Sequence, residues 1–116
     1  GLTLNDFNDL HYIEDYLWYD GPLFYRLQDS KGTNFICYIL KSSSKVLSEF
    51  IVEVSEEEII EMKSSFINEW FNKLFNNNRI FIYELNFDNN EFKIYLCNKK
   101  EFDSGLPKEK VHFNDY

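Results

Sequence analysis

The residues of greatest chemical reach in this chain are its two histidines, two cysteines and twenty acids. His11 and His112 stand about a hundred positions apart, and neither has a companion ligand at helical or hairpin spacing. Both read as surface or boundary histidines. Cys37 and Cys97 fall in predicted strands among apolar neighbours, fit no zinc spacing, and are too few for a disulfide framework. Buried free thiols are therefore expected, and with them a reducing, cytoplasmic compartment. A Cys–His nucleophilic pair would need a folded geometry that this spacing does not supply. Only four glycines occur, none in a G-x-G or phosphate-loop arrangement. No catalytic, metal or cofactor-binding residue is assigned.

The carboxylates fall into two groups. Glu14, Asp15 and Asp20 surround a first hairpin, and Glu53, Glu56, Glu57, Glu58 and Glu61 surround the start of a helix. Acids at a helix N-terminus first of all stabilise the helix, because they complement its dipole. A sharper reading makes them a patch that docks a basic partner or imitates nucleic-acid phosphates. Twenty acids against twelve bases give a net charge of −8, which repels phosphates and anionic lipid headgroups. Nucleic acid and membranes are excluded as expected partners, a basic protein surface is favoured, and a homodimer stays open. Tyr16, Trp18, Tyr19, Phe24 and Tyr25 crowd one hairpin, which can bury only one face fully. The candidate interaction surface is accordingly Tyr16, Trp18, Tyr19 and Tyr25 together with Glu53, Glu56, Glu57 and Glu61.

The elements that position these residues follow from periodicity. A chain of 116 residues, 44% apolar and 19% aromatic, suits one domain with an ample core. Residues 10–19 alternate, with Leu10, Tyr12, Tyr16 and Trp18 on one face, and end at Asp20-Gly21-Pro22. Leu23 to Gln28 returns, with Leu23, Tyr25 and Leu27 on one face and Pro22 at the strand's first position. After Asp29-Ser30-Lys31-Gly32, Asn34 to Lys41 reads as a central strand, apolar on both faces. Val46 to Val54 sends Phe50, Val52 and Val54 inward and Glu49 and Glu53 outward. Ser55 and Glu58 form a capping box, and apolar residues at 59, 60, 66, 67, 70, 71, 74 and 75 follow. Trp70 and Phe71 belong to the core. Ser64-Ser65 allows one helix or two, with the break favoured because serine prefers caps and turns. Arg79 to Phe87 and Glu91 to Asn98 make a second hairpin, and residues 99–116 read as an irregular tail that can lead into a further segment. The expected fold is α+β: a mainly antiparallel sheet of about six strands in meander order. One or two helices, inserted after strand four, cover one face.

Three stretches carry a resemblance: Tyr19-Asp20-Gly21-Pro22-Leu23-Phe24, Asp29-Ser30-Lys31-Gly32, and Val54-Ser55-Glu56-Glu57-Glu58-Ile59. Spread over roughly residues 10–75, they resemble a family of small bacterial domains labelled only as a domain of unknown function. The resemblance implies a bacterial or phage origin and a compact α+β module, and it brings no catalytic residues. The functional expectation is a non-enzymatic, acidic protein-interaction module of inhibitor, immunity or accessory type. Two alternatives stand beside it. One is a phosphate-mimicking inhibitor of a nucleic-acid enzyme; the other is a small hydrolase or ligand-binding domain using Glu14, Asp15 or His11.

Overall fold

The computed structural model describes residues 9–18, 22–77 and 80–106. Among these residues, six strands form one sheet in the order of the chain: β1 (His11–Trp18), β2 (Pro22–Gln28), β3 (Asn34–Ser42), β4 (Val46–Val54), β5 (Ile80–Asn86) and β6 (Glu91–Leu96). Every neighbouring pair is antiparallel, so the sheet is a pure meander. Two helices, α1 (Glu56–Met62) and α2 (Ile67–Asn77), interrupt it after β4, and α3 (Lys99–Gly105) closes the described chain. This is the α+β architecture that the periodicity predicts. Among the described residues, no helix is long and apolar enough to cross a membrane.

Local chemistry explains the joints. Gly32 adopts φ +88° in the β2–β3 turn, where a side chain would be strained, and Asp29 Oδ1 accepts the Lys31 and Thr33 amides there. Asn90 takes φ +54° in the β5–β6 turn, a conformation that asparagine tolerates. Ser55 caps α1: its hydroxyl accepts the Glu58 amide at 3.2 Å, and the Glu58 carboxylate accepts the Ser55 amide at 2.8 Å. The chain breaks at Ser64 and Ser65, whose hydroxyls both donate to the Glu61 carbonyl and so draw off an acceptor that would continue the helix. Two helices result, and the Trp70 indole bonds the Glu58 carbonyl at 3.0 Å to hold them together.

The three helices pack on one face of the sheet. Phe24, Ile36, Phe50 and Val52 from the strands meet Ile59, Met62, Ile67, Trp70, Phe71, Leu74 and Phe102 from the helices in one core. Phe24 is its aromatic centre, with ring centroids 5.5 Å from Phe71, 5.7 Å from Tyr38 and 6.2 Å from Trp70. A second, smaller cluster (Phe35, Cys37 and Ile51, flanked by Tyr25, Leu27, Phe81, Tyr83 and Ile94) lies on the opposite face.

Three expectations need correction. Residues 99–105, expected as the start of an irregular tail, are the helix α3, because Asn98 caps it through the Glu101 amide at 2.8 Å. The fully buried Phe102 anchors it, its ring 4.4 Å from Phe75 and 5.8 Å from Phe50. Tyr12 and Tyr16, expected on one face of β1, point to opposite faces, because the register slips between Tyr12 and Glu14. Glu49 does face away from Phe50, yet it is not solvated: it is only 5% exposed.

Candidate functional site

Strand register sets out the face that lacks the helices. One row crosses all six strands: Asp15, Tyr25, Cys37, Ile51, Phe81 and Leu96. A neighbouring row runs Ile39, Glu49, Tyr83 and Ile94, and on the other side lie Tyr12, Leu27, Phe35 and Glu53. At the centre Tyr25 reaches across the rows and donates its hydroxyl to the Glu49 carboxylate. Burial pushes the Glu49 carboxyl up to about 7, and the Tyr25 bond only partly offsets that. Burial likewise raises the Tyr25 hydroxyl and the fully buried Cys37 thiol beyond their usual ranges, with the Glu49 charge adding to both. Asp15, the register partner of Tyr25, has the Tyr12 hydroxyl beside its carboxylate and keeps Oδ1 buried and without a hydrogen bond among the described residues. Apolar side chains on this face remain open to water: Tyr12 is 55% exposed, Leu96 51% and Phe92 41%. The Tyr12 ring lies 6.4 Å from Tyr25, and Phe92 lies 5.6 Å from Tyr83.

The acids around α1 are largely engaged within the domain. Glu56 accepts from Arg26 and from Asn34 Nδ2, each at 3.1 Å, while Arg26 also donates to Asn34 Oδ1 and pairs with Glu14 at 3.6 Å. This network ties the edge of β2 to the start of α1 on the helical side. Glu61 pairs with Lys73 at 2.5 Å, linking α1 to α2. Glu53 and Glu57 are exposed and have no such bond among the described residues.

The eight residues expected to make one surface are thus distributed. Tyr25 and Glu53 share the face opposite the helices. Tyr16 packs edge-on against Phe24 on the helical side, its ring 5.9 Å away, and donates to Glu14 at 2.8 Å. Glu56, Glu57 and Glu61 belong to α1. The Trp18 side chain and Tyr19 lie outside the described residues, as do His112 and the Asp20-Gly21 turn. His11 is exposed at the start of β1, and Glu14 and Asp15 face opposite sides, so these three do not converge. Both cysteines are free and buried, Cys97 lying one residue past β6. Among the described residues, no group of three His, Cys, Asp or Glu could hold a metal ion. A shallow cleft of about 350 Å³ between α3 and the sheet is bordered by Ser48, Glu84, Tyr95 and Glu101. Sequence reasoning missed Tyr12, Glu49, Phe92 and Leu96. Phe92 and Leu96 stand on one face of β6, but nothing local says which face the helices leave.

Fold and site together define an α+β domain with a six-stranded antiparallel meander, helices on one face and an aromatic, acidic surface on the other. Comparison with protein-family models, curated proteins and solved structures finds no match to this chain.

Proposed function

We propose that this domain is a non-enzymatic protein-interaction module, an inhibitor, immunity-type or accessory subunit, that binds through the sheet face opposite its helices. The observation that carries this reading is the contrast between the two faces. On the helical side Phe24, Phe50, Phe71 and Phe102 are at 0% exposure, with Tyr16, Tyr38, Phe75 and Tyr95 partly buried around them. The other side presents Tyr12, Phe92 and Leu96 to water beside half-buried tyrosines, the amphipathic aromatic composition that contact surfaces favour. Tyr12 lies on β1 and Phe92 and Leu96 on β6, at the two edges of this face, and apolar groups left open to water carry a free-energy penalty that a partner relieves.

The test is affinity capture from native lysate with the wild type and with a Phe92→Ser, Leu96→Ser double variant. These positions are on the edge strand and open to water, so the fold should survive the change. A partner held by the wild type and by Glu57→Lys, but lost by the double variant, supports the proposal. A partner held equally by all three contradicts it.

A further inference from the structure

The face that this reading makes the binding surface also has a one-sided charge. Register assigns to it positions 12 and 15 of β1, 25 and 27 of β2, and 35, 37 and 39 of β3. Positions 47, 49, 51 and 53 of β4, 81, 83 and 85 of β5, and 92, 94 and 96 of β6 complete it. Three of these residues are acids, Asp15, Glu49 and Glu53, and none is Lys, Arg or His. Among the described residues, the bases that pair do so elsewhere: Arg26 with Glu14 and Glu56, Lys73 with Glu61, Lys93 with Glu84, and Lys99 with Asp103. A carboxylate among apolar groups is costly unless donors or a cation reach it, and Asp15 has the Tyr12 hydroxyl as one donor beside it. Asp15 Oδ1 is buried without a hydrogen-bond partner among the described residues, next to Tyr25 in the register.

We infer that the open face takes an amphipathic, lysine- or arginine-bearing segment of a partner protein, its apolar side chains against Tyr12, Phe92 and Leu96 and its cation beside Asp15 and Tyr25. The inference rests on the interaction reading and adds the chemistry of the partner. A second copy of this chain is disfavoured as the occupant, because it would bring the same three acids and a net charge of −8. A basic segment supplies the missing charge, and the tyrosine ring offers its cation a π face. Glu53, exposed at the end of the face, attracts the same segment at longer range.

The test uses two synthetic amphipathic peptides of identical pattern, one built from Leu and Lys and one from Leu and Glu. Binding is mapped by amide chemical-shift changes on the full chain. The Leu/Lys peptide should shift residues of β1, β2 and β6, and the Leu/Glu peptide should not. An Asp15→Asn, Glu53→Gln variant, which keeps both shapes, should bind the Leu/Lys peptide about tenfold more weakly. Equal binding of both peptides on the open face would overturn the charge selectivity while leaving that face as the contact surface. Shifts confined to α1 and α2, no shifts, or unchanged affinity in the double variant would overturn the inference. Lysate capture by the Phe92→Ser, Leu96→Ser variant remains a separate measure of the interaction reading.

Discussion

Glu49 sets the chemistry of the open face at the scale of single residues. Its carboxyl is raised to about 7 from an ordinary value of 4.5, because burial penalises the charge more than the Tyr25 hydroxyl relieves it. A folded value above the unfolded one means that the contribution to stability is complete below about 4.5 and is lost as pH rises through about 7. A Glu49→Gln variant keeps an acceptor for Tyr25 without the charge. It should match the wild type in urea unfolding at acid pH and exceed it at alkaline pH, by about 3 kcal/mol at most. An equal difference at both pH values would contradict the assignment. Gly105 makes a second prediction. A β-carbon there would lie 2.6 Å from Leu40 Cδ2 and 2.8 Å from Phe50 Cζ, so α3 can approach the sheet only because the residue is glycine. Gly105→Ala should destabilise the domain by about 1–3 kcal/mol, read as a lower urea midpoint with an unchanged slope.

The element scale shows where short-range patterns suffice. The Ser55–Glu58 capping box, the break at Ser64-Ser65 and the buried Trp70-Phe71 stripe are set by neighbours within one or two turns, and all were legible in the sequence. Ser55→Ala should cost about 1 kcal/mol in urea unfolding, and no loss would show that α1 does not depend on its cap. Three features were hidden because distant residues decide them. The slip in β1 that separates Tyr12 from Tyr16 arises from pairing with β2, and nothing at Ile13 announces it. Helix α3 has the single fully buried anchor Phe102 in a run of polar residues, too sparse a stripe for periodicity to find. Glu49 was correctly placed opposite Phe50, but its burial comes from Tyr25 and Tyr83 on strands β2 and β5. Of the eight residues of the candidate interaction surface, Tyr25 and Glu53 are the described ones that lie on the face now proposed.

At the scale of the whole molecule, the two faces of one sheet divide the work. One face, closed by three helices, supplies the core; the other sets aromatic groups and acids around a buried carboxyl. Twenty acids against twelve bases give the domain a net charge of −8, which under the proposed function favours a basic partner, and the register sets which apolar side chains share the face opposite the helices. The most direct measurement is hydroxyl-radical footprinting of the domain alone and bound to its captured partner. Oxidation of Tyr12, Phe92 and Leu96 should fall on binding, while Ile60, 68% exposed on α1, should keep its rate. Protection of Ile60 with unchanged oxidation of Tyr12, Phe92 and Leu96 would contradict the account.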